Sequence, residues 1–267
     1  VRIFCELAEL GDVHMKKVSL VIPVYNEAGH LAEFLRQVDS LSIEGVDKEL
    51  VIIDDCSRDE SRAILQSFQF SSPVQLHFQD VNQGKGAAIR KGVELANGDI
   101  IGIQDADFEY SMEDIPAIIA PLVAGKADVV FGSRFKGTVV QVHRTFHYLV
   151  NRMLTTLSNL CSGLYLTDME TCYKFFRAEV IKNIKLESNR FGFEPEVTAK
   201  IARLKLKIIE VPIWYFPRNY LEGKKITWRD GIAALGHILT FNFCRKPQDY
   251  LLPSLPKHFI PQGRQWL

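Results

Sequence analysis

No stretch of the sequence reaches the roughly 18 to 20 consecutive apolar residues that a membrane-spanning helix needs. The best late candidate, from Gly231 to Phe243, is shorter and contains His237 and Asn242. Net charge is also missing. The 32 Lys and Arg balance 32 Asp and Glu, so no global basic field exists to hold nucleic acid unspecifically, and anion recognition must come from local clusters. The five cysteines, Cys5, Cys56, Cys161, Cys172 and Cys244, are odd in number and include no CxxC pair. Neither a zinc ribbon nor a disulfide framework is suggested, and a reducing, cytoplasmic setting fits. Internal repeats and low-complexity blocks are absent. Residues 1–16 carry acidic side chains within their only apolar stretch, unlike a secretory leader, and are expected to form an extension ahead of the fold.

What is present is a balance of 47% apolar and 24% charged residues over 267 positions, enough to bury one full core. The first half repeats a short β-branched run, a turn and a helical pattern, which predicts a mostly parallel sheet flanked by helices. Strands are expected at 18–23, 49–54, 74–79, 100–104 and 128–132, with helices near 28–41, 58–68, 85–96 and 112–123. Ser57 and Glu60 have the spacing of a capping box, which would start a helix directly after Asp54-Asp55. The second half predicts a long amphipathic helix over 144–161, a strand at 173–177, a helix at 196–204, a strand at 207–213, a cationic loop and an apolar helix ending near Phe243. A single domain over 17–245 is expected, followed by a loosely attached tail over 246–267.

Acidic residues fall at successive strand ends: Asp54-Asp55, Asp105-Ala106-Asp107, then Asp168 with Glu170. Ligands of open α/β sheets collect at that edge. Asp105 and Asp107, two apart after the buried IIGIQ, could hold one hard divalent cation, with a diphosphate completing the shell. They could equally form a turn ahead of a helix opened by Ser111 and Asp114. Asn82-Gln83-Gly84-Lys85-Gly86 follows a strand and opens a helix, so Lys85 could touch a phosphate, or the glycines could serve only a tight turn. It has neither P-loop nor GxGxxG spacing. Arg134, Arg144, Arg152, Arg218, Lys224 and Lys225 suit an anionic acceptor, unless they are ordinary solvated cations. His143 and His147 lack a carboxylate between them and do not suggest a metal site. The apolar stripe from Phe146 to Leu160 reads as core packing, a dimer contact or an interfacial face.

VSLVIPVYNE from Val18 to Glu27, VIIDDCSRD from Val51 to Asp59, NQGKG, QDADFEY and Gly132-Ser133-Arg134 stand in an order that resembles glycosyltransferase family 2, nearest its dolichyl- or polyprenyl-phosphate mannose and glucose synthase branch. The resemblance runs from about Val18 to Phe243. It implies the GT-A fold, inversion at the anomeric carbon and a need for Mg²⁺ or Mn²⁺. Pro23, Tyr25 and Glu27 would contact the nucleotide, Asp55 the base or ribose, and Asp105 the ribose side. Asp107 would bind the metal, with Glu109 where relatives often carry Gln. Arg134 and the loop bearing Arg218, Lys224 and Lys225 would face a lipid phosphate. Asp168 is the leading acceptor-side carboxylate and Glu194 the second, unless Asp168 caps a turn and Glu194 starts a helix ahead of Pro195.

The expected activity is transfer of a hexose from a UDP- or GDP-linked donor to polyprenyl or dolichyl phosphate. The alternatives are transfer to a sugar or other hydroxyl in polysaccharide or cell-envelope synthesis, and a non-catalytic nucleotide-binding scaffold. A nucleotidyltransferase would need a glycine-rich loop where PVYNE stands. No nucleic-acid partner is expected. A lipid acceptor would be met by peripheral contact at the inner face of the membrane or through a membrane partner subunit, and a homodimer is a further expected partner arrangement.

Overall fold

A computed structural model describes residues 17–137, 145–217 and 228–261. In chain order the elements are β1 (Lys17–Val24), α1 (Ala28–Ser40), β2 (Asp47–Asp54), α2 (Ser61–Ser67), β3 (Val74–Phe78), α3 (Lys85–Leu95), β4 (Ile100–Ile103), α4 (Ile115–Val123), β5 (Val129–Ser133), α5 (Thr145–Ser162), β6 (Lys174–Arg177), α6 (Ala178–Ile181), α7 (Phe193–Ile201), β7 (Ile208–Pro212), α8 (Trp228–Leu239) and α9 (Pro247–Tyr250). Among the described residues seven strands form one sheet in the order β3-β2-β1-β4-β6-β5-β7. Val18, Leu20, Val21 and Ile22 of β1, Leu50 to Ile53 of β2 and Ile100, Ile101 and Ile103 of β4 are fully buried. Runs this apolar need helices on both sheet faces, which is why they read as continuous rather than alternating.

β1 pairs in parallel with β2 and β4, whereas β6 runs antiparallel to both β4 and β5. The reversal has a consequence for the site. It places the start of β6, and the segment 168–173 leading into it, at the same edge as the carboxyl ends of β1, β2, β4 and β5. At that edge Asn26, Cys56 and Phe108 each hold a left-handed backbone, at φ 52, 59 and 57. Non-glycine residues in that region are strained by about 1–3 kcal/mol each and tend to cluster at functional loops.

Two expectations change. Ser57 does not cap a helix: α2 begins at Ser61 behind Glu60, and the Ser57 hydroxyl accepts from the Asn26 amide at 3.0 Å. The sequence places a good cap there, but a tertiary contact takes it. Residues 247–261, read as part of a loose tail, are packed: Tyr250, Leu255 and Phe259 are buried, and the Lys185 amide donates to the Tyr250 carbonyl at 2.7 Å. Their irregular spacing shows no period, so composition hid them. The stripe on α5 divides, with Leu154 buried and Leu149, Met153 and Leu160 exposed. No helix among the described residues is long and apolar enough to cross a membrane. Residues 1–16, His143, Arg144, Arg218, Lys224 and Lys225 lie outside the described residues.

Candidate active site

Asp105 follows β4, and its Oδ2 accepts from the Lys85 ammonium at 2.9 Å. The same ammonium lies 3.3 Å from Glu194 Oε1, which reaches in from the first turn of α7. Burial works against the charge of Lys85, but Asp105, Cys172 and Glu194 outweigh it and raise its pKa well above the usual value. Lys85 is therefore a fixed cation between two carboxylates. Asp107 Oδ1 accepts from the Glu109 amide at 3.1 Å, and Glu109 Oε2 accepts from the Tyr215 hydroxyl at 2.9 Å.

Tyr215 joins this acidic loop to a second cluster, since the Arg134 guanidinium stands 5.0 Å from its ring centroid. Arg134 is held by Asp168 through Nε to Oδ2 and Nη2 to Oδ1, both at 2.7 Å, and its amide donates to Oδ2 at 3.0 Å. Asp168 is fully buried, and although burial alone would raise its pKa, Arg134 holds it below the usual carboxylate range. A carboxylate so paired is a poor proton acceptor. The pairing weakens the case for Asp168 as the base and matches the charge of Arg134, whose Nε and Nη2 are both committed to it. The segment is pinned from behind by Glu210, whose Oε1 accepts from the amides of Thr167 and Asp168.

Sequence reasoning missed the supports of this cluster. Lys174 is fully buried and donates to the carbonyls of Met169, at 2.8 Å, and Thr171. Burial lowers its pKa to about 8 despite the opposing charges of Glu194 and Asp168. The Cys172 amide donates to the Tyr110 hydroxyl at 3.1 Å. Glu170 lies between these anchors with Oε1 shut off from solvent and without a hydrogen-bond partner. Such an atom costs about 1–3 kcal/mol. Burial and the charge of Glu194 push its carboxyl up to about 7, against the pull of Lys174 and Arg134.

The 82–86 loop differs from expectation. A β-carbon at Gly84 or Gly86 would collide with the backbone of Asn189 or Ser188, so the glycines admit the protein's own chain. The amides of Gly86 and Ala87 already donate to the carbonyls of Arg190 and Asn189 at 3.2 and 3.1 Å. The start of α3 is thus not an open anion site. Asp55, read as a nucleotide contact, accepts from Asn82 Nδ2, the Gln83 amide and the Gly84 amide at 2.7 to 2.8 Å. Its removal leaves those donors unmet, so Asp55→Ala is expected to cost about 2 kcal/mol in denaturant unfolding. Pro23 and Tyr25 are half-buried at the end of β1, where Glu27 is buried with its Oε2 2.8 Å from His30.

Carboxylate oxygens are the donors that Mg²⁺ and Mn²⁺ prefer. Among the described residues no three His, Cys, Asp or Glu converge as a ready cation cage. Asp107 and Glu109 offer carboxylate oxygens of that kind in the loop after β4.

Residues 19–185 match the family described as Glycosyl transferase family 2. The chain belongs to that family. Within family 2 it is 29% identical over 217 residues to a dolichol-phosphate mannosyltransferase of Pyrococcus furiosus, covering 79% of this chain and 60% of that protein. It is 31% identical over 213 residues to an undecaprenyl-phosphate 4-deoxy-4-formamido-L-arabinose transferase of Enterobacter, covering 78% and 62%. The chain thus spans about three fifths of the length of these curated relatives. The fold is the GT-A arrangement of family 2. It superposes on glucosyl-3-phosphoglycerate synthase from Mycobacterium tuberculosis, solved with Mn²⁺, UDP and glucosyl-3-phosphoglycerate, with TM-score 0.64 and 18% identity over 88% of this chain and 85% of that one.

Proposed function

We propose that the protein transfers a sugar from a nucleotide diphosphate sugar to an acceptor hydroxyl, with Mg²⁺ or Mn²⁺ as cofactor. The observation that carries the choice of acceptor is the Arg134–Asp168 pair, whose two 2.7 Å bonds commit the cation that would otherwise meet a phosphate. A phosphate monoester is largely ionised at neutral pH and needs mainly positive charge to position it, whereas a hydroxyl needs a base. Among the described residues the cations Lys85 and Arg134 are matched by the carboxylates of Asp105, Glu194 and Asp168.

Asp107, with Glu109 beside it, would hold the divalent cation. The chemistry that ion supplies is neutralisation of charge on the departing diphosphate. Pro23, Tyr25 and Glu27 border the donor space at the end of β1, and Asp105, fixed by Lys85, faces the ribose side. Asp55 shapes the neighbouring loop from behind. One displacement at the anomeric carbon, with no protein nucleophile, inverts its configuration.

A lipid-phosphate acceptor is the second reading. It is favoured by the exposed Leu149, Met153 and Leu160 on α5, and supported by the names of the two family relatives. The test is incubation of the purified protein with Mn²⁺ and UDP- and GDP-hexoses, offering glycerol phosphates and sugars or liposomes containing polyprenyl phosphate, followed by mass spectrometry. Glycosylated hydroxyls are expected. Product confined to the lipid phosphate would replace the first reading by the second, and no donor consumption would contradict both.

A further inference from the structure

We infer that Glu170 is the general base that takes the proton from the acceptor hydroxyl, an assignment that rests on the hydroxyl-acceptor reading above. A base needs a free lone pair at the reacting edge of the sheet. Asp168 is committed to Arg134, Asp105 and Glu194 share Lys85, Asp55 holds the 82–84 loop, and Glu210 holds Thr167. Glu170 Oε1 is the single buried carboxylate oxygen among the described residues that lacks a partner. Buried polar atoms are nearly always satisfied, so the open Glu170 Oε1, with the neighbouring Thr171 hydroxyl also open, points to a partner that arrives with the substrate.

The neighbourhood also holds this carboxylate still. Met169 donates its amide to Thr155 Oγ1 at 3.1 Å, Lys174 binds the carbonyls on both sides of Glu170, and Tyr110 takes the Cys172 amide. The charged groups facing it are Glu194 from α7, Lys174 from β6, Arg134 from the end of β5 and Asp168 from its own segment. Their balance with burial puts proton affinity near neutrality, where a base can both accept and release a proton. In the step, the acceptor O–H bond breaks and its proton passes to the Glu170 carboxylate. The acceptor oxygen bonds to the anomeric carbon, the bond from that carbon to the diphosphate oxygen breaks, and the nucleoside diphosphate departs with the electron pair. Glu170 then returns the proton to solvent.

Water is a hydroxyl acceptor, so donor hydrolysis reports on the base without the natural acceptor. UDP-glucose, UDP-galactose and GDP-mannose are supplied with Mn²⁺, and nucleotide release is followed from about pH 5.5 to 8.5, while calorimetry measures Mn²⁺-UDP and Mn²⁺-GDP binding. Wild-type hydrolysis is expected to rise with pH and level off above about 7. Glu170→Gln is expected to lose roughly 10²- to 10⁴-fold in rate, and the acidic limb with it, while binding nucleotide unchanged. A Glu170→Gln enzyme that keeps both rate and limb overturns the assignment and leaves the donor site standing. A wild type that binds neither nucleotide overturns the donor-site reading and the assignment together. If the variant does not fold, the wild-type profile decides, and a rate flat across that range overturns the assignment.

Discussion

Alanine at Asp107 is expected to lower sugar transfer by about a hundred- to a thousandfold with Mn²⁺ saturating, while the circular dichroism and melting temperature stay close to wild type. The magnitude follows from removing a carboxylate that would hold the charge-neutralising ion against the departing diphosphate, in a site where a single electrostatic contact is worth a factor of about 10² to 10³. The fold should tolerate the change because Asp107 is only half-buried and sits in a loop after β4, away from the packed strands. Asp107 Oδ1 accepts from the Glu109 amide at 3.1 Å, a local turn contact. A variant that turned over at near wild-type rate would remove Asp107 from the metal set.

Arg134→Ala is expected to have the largest effect on stability. It deletes the guanidinium that meets both oxygens of Asp168 and leaves a fully buried carboxylate with, among the described residues, Asn151 Nδ2 at 3.4 Å and the backbone amide of residue 134 as its hydrogen-bond donors. Breaking a buried pair from one side costs about 3–5 kcal/mol, because the surviving charge remains desolvated. The pH dependence identifies the cause. In the wild type the folded-state pKa of Asp168 is depressed, so the stability it contributes is present above the unfolded value of about 3.9 and is lost as pH falls through the folded value. Without Arg134, burial dominates and the folded pKa rises above the unfolded one. Acidification then protonates Asp168 and relieves the variant. Denaturant unfolding should therefore give a smaller difference between variant and wild type at pH 5 than at pH 7. A loss below about 1 kcal/mol, equal at both pH values, would mean that the pair is not a structural anchor.

The strands were legible because each is a short apolar run bounded by turn residues, and Val18, Leu50 and Ile100 behave as such runs require. The direction of β6 was not, since four residues carry no signal of which way the chain returns; that reversal is what brings Asp168, Glu170 and Thr171 to the edge occupied by Asp105 and Asp107. The acidic positions themselves could be read, but their partners could not. Arg134 meets Asp168 across 34 residues, and Lys85 meets Glu194 across 109. Pairing of that kind decides which carboxylate oxygens are engaged, and no local feature showed that Asp168 would be paired and Glu170 Oε1 left open. The same blindness explains the glycines at 84 and 86, whose freedom serves a neighbouring segment more than a hundred residues on. Local chemistry pointed to a turn beside a helix start, and no local feature showed that Asn189 and Arg190 would fill it.

The central claim is a nucleotide site that is completed by a divalent cation at Asp107. Calorimetric titration of UDP and of GDP into the wild type and Asp107→Ala, each with and without Mn²⁺, tests it most directly. The account predicts saturable binding of at least one nucleotide that requires Mn²⁺ in the wild type and disappears in the variant. Binding that is indifferent to the metal and to Asp107, or no binding of either nucleotide, would contradict it.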